Sequence, residues 1–83
     1  MITPKNILAH ELIGLKVEVD SIKGKVVNET KNLMIIEEKD KERKIKKKGN
    51  SFIFHIPGHK VKVDGDLLEV RPEERIKKYA QRG

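Results

Sequence analysis

The sequence predicts a mainly β fold: a small antiparallel barrel of six or seven short strands with a short helix at each end. Three observations carry that prediction. Between Leu15 and Val70, turn residues recur at short intervals, and the runs between them are rich in β-branched side chains. Helical patterning is confined to the two ends. The 83 residues leave room for one domain, 1–83, with a modest core. Charged residues make up 39% and hydrophobic ones 36%. That is more apolar than a disordered segment of such charge, so a folded domain with a very polar surface is expected.

The elements follow in order. Thr3 and Pro4 predict the start of a helix over 3–13, with a hydroxyl to cap the free amides and a proline where its missing donor is not needed. Gly14 supplies the stop, and Ile7, Leu8, Leu12 and Ile13 give a narrow apolar stripe, too short to stand alone in water. The barrel is expected over 15–70. In LKVEVD, Leu15, Val17 and Val19 alternate with Lys16, Glu18 and Asp20, the mark of a half-buried strand. GKVVNE, LMIIEE, RKIKKK, SFIFHI, KVKVD and DLLEV follow as further strands, separated by turns at Thr30-Lys31-Asn32, Gly49-Asn50, Pro57-Gly58 and Gly65. Leu33–Ile36 and Phe52–Ile56 lack strict alternation, so the second face of those strands should be covered by a terminal helix or a partner. A second helix is expected over 72–81, with Pro72 in the first position, Glu73 and Glu74 in the first turn, and Lys77, Lys78 and Arg82 toward the other end.

Charge narrows the function classes. The net charge of +6 favours an anionic partner, nucleic acid foremost, with acidic protein and anionic lipid as other possibilities. Five of those six charges come from Lys39–Lys48. Two compatible readings exist for this run: lysines that protect an edge hairpin from self-association, or a phosphate-contacting surface. Binding single strands by stacking needs exposed rings, and the aromatics are Phe52, Phe54 and Tyr79, the first two sharing one strand face and expected in the core. That points to the shape and backbone of a folded RNA.

Other chemistry finds little support. His55 and His59 flank Pro57-Gly58 with no cysteine or carboxylate cluster to complete a ligand set, so no metal site is expected. There is no Gly-rich phosphate loop, no G-x-S-x-G and no nucleophile beside a base; Glu73 and Glu74 read as helix-start charge. No catalytic residue and no bound cofactor are expected. The lack of cysteine suits a reducing compartment, and the absence of a signal-peptide pattern or a long apolar run predicts a cytoplasmic protein with no membrane partner.

Two stretches carry a resemblance. GLKVEVDSIKGKVVNETKNLMIIEE, Gly14 to Glu38, resembles the first motif of Sm-like proteins, with Gly24 at its permissive position and Asn32-Leu33 at its Asn-Leu. VDGDLLEV resembles the shorter second motif, with Asp64 where that family has an RNA-pocket arginine. Over nearly the whole chain, HELIGLKVEV, GKVVNETKNLMII, the basic strand before SFIF, and VKVDGDLLEVRPEERIK together resemble the archaeal ribonuclease P protein component 1 family. The resemblance implies an Sm-like barrel and a noncatalytic subunit of the ribonucleoprotein that removes 5′ leaders from precursor tRNA, in which the RNA performs magnesium-dependent hydrolysis. Its implied partners are ribonuclease P RNA and the zinc-ribbon subunit, protein component 4, with precursor tRNA as the substrate of the assembly.

On that basis Ile7, Leu8 and Leu12 are candidates for the subunit contact, the other reading being that they cap the chain's own barrel. The RNA candidates are Lys23, Lys25, Lys31 and Asn32 around the first-motif turns, Lys44, Lys46 and Lys48 on the basic strand, and Arg71, Arg75 and Lys78 near the exit helix. Only Asn32 carries over from the Sm pattern; the cations rest on charge and expected exposure. The competing functions are an architectural basic barrel on duplex DNA and a free-standing Sm-like RNA chaperone.

Overall fold

Local chemistry sets the strand boundaries. The structure, a computed structural model, describes residues 2–80; Arg82 lies outside the described residues. The strands are β1 (Lys16–Val19), β2 (Ile22–Glu29), β3 (Leu33–Glu38), β4 (Lys41–Lys46), β5 (Ser51–Ile56) and β6 (His59–Asp64). Between β3 and β4 the chain reverses at Lys39 and Asp40, with φ of 50° and 65°. Positive φ at both positions matches the right-handed twist of the flanking strands, so the basic run begins as a tight hairpin.

The six strands form one antiparallel sheet in the order β4-β3-β2-β1-β5-β6. A flat sheet would hold its outer strands about 24 Å apart, at about 4.8 Å per neighbour. Instead Met34 and Ile36 of β3, Val17 and Val19 of β1, Phe52, Phe54 and Ile56 of β5 and Val63 of β6 join one buried cluster, with Ile45 of β4 packed against it. Only a strongly curled sheet permits this, which is the expected small barrel. Gly24 makes the curl possible, because a Cβ there would lie 2.2 Å from the Glu37 carbonyl oxygen. The β2–β3 register then shifts between Val26 and Asn28, a bulge that adds local twist.

Two expectations are corrected. No helix spans 3–13. Thr3 and Asn6 do cap each other, the Thr3 amide donating to Asn6 Oδ1 at 2.6 Å and the Asn6 amide to Thr3 Oγ1 at 3.3 Å, but only a 3-10 turn, Ile7–Ala9, follows. The carbonyls of Leu8 and His10, which a continuing helix would use, accept hydrogen bonds from the Arg75 guanidinium instead.

The seventh strand is also absent among the described residues. DLLEV contributes to a helical turn, α1 (Gly65–Leu68), capped by Asp64, whose Oδ1 accepts from the Asp66 amide at 3.0 Å. Leu68 is buried while Leu67 is exposed. A Cβ at residue 65 would lie 1.7 Å from the Lys47 carbonyl oxygen, so only glycine lets this turn press on the β4–β5 loop. The last helix, α2 (Pro72–Ala80), forms as expected through the last described residue, with Glu73 and Glu74 in its first turn and Lys77 and Lys78 in its last.

Candidate nucleic-acid interface

Alternation along the strands decides which cations face out. In β4, Ile45 packs toward the core opposite Met34, which turns Lys44 and Lys46 to the outer face beside Ile35 and Leu33. In β2, Gly24 and Val26 face inward, so Lys23 and Lys25 lie outside. These two pairs fall toward opposite ends of the sheet.

Lys47 organises one end. Its amide donates to the Asn32 carbonyl at 2.9 Å, and its Nζ donates to the Thr30 carbonyl at 2.5 Å and the Val70 carbonyl at 3.4 Å. The β2–β3 turn, the β4–β5 loop and the entry to α2 are thereby drawn together, and Lys31, Asn32, Lys48 and Arg71 stand exposed around the junction. Lys31 and Arg71 line one cleft of about 370 Å³. Lys78 is exposed on α2 beside the Tyr79 ring, 5.6 Å from its centroid, and lines neither this cleft nor the groove described next.

The other end is a groove of about 530 Å³ on the outer face, where Lys23 and Lys25 are joined by Lys16, Lys60, Glu18 and His55. His55 Nε2 and Glu18 Oε2 are 2.5 Å apart, and Lys23 Nζ lies 3.9 Å from Glu18 Oε1. The hydrogen bond with His55 holds the Glu18 carboxyl below its ordinary value of 4.5, with nearby cations adding to the effect and burial opposing it.

Three candidate residues are not where exposure would require them. Arg75 is fully buried, bonded to Glu29 and to the carbonyls of Leu8 at 3.1 Å and His10 at 3.0 Å, so it faces no phosphate. Ile7 and Leu12 are buried in the chain's own core, which leaves Leu8 as the partly exposed member of the proposed stripe. The core is small enough that it draws in the N-terminal segment to close it.

Sequence reasoning missed the buried node that binds these pieces. Glu29 Oε2 accepts from Lys47 Nζ at 2.9 Å and from Arg75 Nη1, and all three side chains are buried. Glu29 Oε1 is buried with no hydrogen-bond partner. Burial pushes the Lys47 ammonium below its ordinary value of 10.5, and Glu29 opposes that shift. One signal was present: Ile45 and Lys47 are two apart, so the inward face of the basic run continues from an isoleucine to a lysine. The position of Glu29 was hidden by the bulge, which changes the alternation of β2 ahead of it.

Among the described residues no three His, Cys, Asp or Glu side chains gather to hold a metal ion, and no helix is long and apolar enough to cross a membrane.

Comparison with known proteins adds to this geometry. The family model described as ribonuclease P/MRP, subunit p29, matches residues 5–78. The chain is 56% identical to ribonuclease P protein component 1 of Methanocaldococcus jannaschii, covering 94% of this chain and 92% of that protein. With the component 1 protein of Methanothermobacter thermautotrophicus it shares 47% identity, covering 94% and 95%. The solved structure of Mth11, described as a homologue of the human RNase P protein Rpp29, superimposes with a TM-score of 0.58 at 43% identity, covering 81% of this chain and 99% of that one. From a match that spans residues 5–78, and from relatives this similar over almost their full length, the chain belongs to the ribonuclease P/MRP subunit p29 family.

Proposed function

We propose that this chain is a noncatalytic protein subunit of ribonuclease P, which binds the catalytic RNA and a partner protein and thereby supports removal of 5′ leaders from precursor tRNA. The observation that carries the reading is the 56% identity, over nearly the full length of both chains, to a protein named ribonuclease P protein component 1. Outward-facing lysines on a rigid sheet suit it, because Lys and Arg neutralise backbone phosphates without base-specific geometry. In this reading the RNA performs the magnesium-dependent hydrolysis in the cytoplasm, and the protein positions RNA segments.

The RNA surface comprises Lys31, Asn32, Lys46, Lys48 and Arg71 at the Lys47 end, with Lys44 beside them and Lys23 and Lys25 across the sheet. Lys78 remains a peripheral candidate. The partner, protein component 4, is assigned to a shallow apolar groove of about 180 Å³ where Leu8 meets Pro4, Val61 and the exposed Leu67.

Reconstitution tests the proposal. Ribonuclease P assembled from its RNA and the other protein subunits should cleave precursor tRNA markedly faster with this chain than without it. Lys31→Gln with Arg71→Gln should weaken binding to ribonuclease P RNA and flatten its salt dependence. Equal cleavage with and without the chain, or equal affinity for ribonuclease P RNA, random duplex DNA and oligo-uridine, would refute the reading.

A further inference from the structure

The outer face of the sheet carries a row of basic side chains, of which His55 is paired with Glu18 while the lysines of the row, among the described residues, form no ion pair. Strand register sets Lys25 opposite Lys16, Lys16 opposite His55, and His55 opposite Lys60. Four basic side chains on β2, β1, β5 and β6 therefore stand side by side, spanning about 14 Å at about 4.8 Å per strand. Like charges placed directly opposite on a sheet repel and weaken it. Among the described residues Lys16, Lys25 and Lys60 form no ion pair.

Nearby acids are engaged elsewhere or outnumbered. Glu18 is held by His55, while Glu38 accepts from the Lys23 amide at 3.1 Å and lies 3.7 Å from Arg43. Glu37 stands opposite Lys25 in register without forming an ion pair. Five lysines and three glutamates line the whole groove.

We infer that this groove is a docking site for the sugar-phosphate edge of helical RNA, separate from the Lys31 and Arg71 cleft, with phosphates seated over Lys25, Lys16 and Lys60. The inference rests on the reading of the chain as a ribonuclease P RNA-binding subunit and assigns a second surface within it. A row of cations on adjacent strands suits a ridge of regularly spaced anions. The lining includes Val17 as its one apolar side chain, and Val17 is 1% exposed, so a protein partner finds no apolar anchor there. The lining also holds no Phe, Tyr or Trp ring on which a single strand could stack, and its one imidazole, His55, is held by Glu18. Two clusters at opposite ends of one small sheet would let the chain bridge two RNA segments.

The test measures binding of the full chain to ribonuclease P RNA and to a short RNA duplex over a range of salt. Three proteins are compared: the unaltered chain, Lys16→Gln with Lys60→Gln, and Lys31→Gln with Arg71→Gln. Removing the groove pair should lower the slope of log affinity against log salt by about 1.4 to 1.8, at about 0.7 to 0.9 per lost phosphate contact. The melting temperature should not fall, since like charges are being removed. An unchanged slope for the groove pair, with a reduced slope for the cleft pair, overturns this inference and leaves the ribonuclease P reading standing. No binding of either RNA by the unaltered chain overturns both. Dependence of poly-glutamate binding, but not RNA binding, on Lys16 and Lys60 would make the groove a protein-docking surface and also overturn it.

Discussion

Glu29, Lys47 and Arg75 bring one carboxylate and two cations together inside the molecule, while Glu18, His55 and Lys23 bring a carboxylate, an imidazole and an ammonium together on the outside of the same sheet. The first set is sealed from water and the second is partly exposed. Inside, removing one partner strands the others in a medium where charge is poorly solvated. Outside, water and salt absorb the loss. Composition alone treats the two sets as the same kind of feature, yet one secures the fold and the other leaves charge available to a ligand.

The comparison is broken most forcefully at Glu29. Glu29→Gln leaves two buried cations facing each other and should destabilise the chain by about 3–5 kcal/mol. A domain of this length is stable by only about 4–12 kcal/mol, so the variant should lose about a quarter or more of its stability and its urea midpoint should fall in proportion. A shift of the urea midpoint corresponding to less than about 1 kcal/mol would mean that the node is not the structural element its burial indicates.

Arg75→Met comes next, at about 2–4 kcal/mol, because it leaves the Leu8 and His10 carbonyls without their donor while Lys47 still balances Glu29. Amide exchange should accelerate first at Ala9 and His10, whose amides bond within the N-terminal turn. The salt slope of RNA binding should stay as it was, which separates Arg75 from Arg71 despite their similar appearance in the sequence.

The smallest effects are in pH dependence, and they have opposite origins. The Glu18 carboxyl is held below 4.5, so its contribution is present above that value and is lost as pH falls through the lower folded value. Glu18→Gln should therefore flatten the acid limb of a urea-midpoint profile. The Lys47 ammonium is held below 10.5, so the unfolded chain binds that proton more tightly and stability rises with pH as the interval below 10.5 is entered. Lys47→Met should remove that rise and leave the acid limb unchanged.

Much of the barrel was legible because strands announce themselves locally. The β-branched runs, the Asn-Leu pair and the turn residues placed β1 through β6 within a few residues, and Pro72 with Glu73 and Glu74 placed α2. The N-terminal helix failed for a nonlocal reason: Thr3 and Asn6 give a valid cap, but the carbonyls that would extend the helix are taken by a side chain from the far end of the sequence. DLLEV reads as a strand by its residues and folds as a turn of helix because Asp64 caps it and Gly65 lets it approach Lys47. Charge located the basic strand β4, which carries Lys44 and Lys46 on its outer face, whereas exposure of each cation could not be read from charge. Lys47 and Arg75 look like their neighbours until the register and the termini are placed.

Arg75 also imposes a sequence of events on synthesis. Its guanidinium holds carbonyls that precede it by 67 and 65 positions, so a segment made early is fastened by one made much later. A nascent polypeptide that has emerged only as far as Val70 has Glu29 and Lys47 to pair, but its N-terminal turn is held by Ile7 and Leu12 in the core without the Arg75 donor. Emergence of α2 completes that attachment, and a product that stops before residue 75 should expose the Ile7–Ala9 turn to proteases more readily.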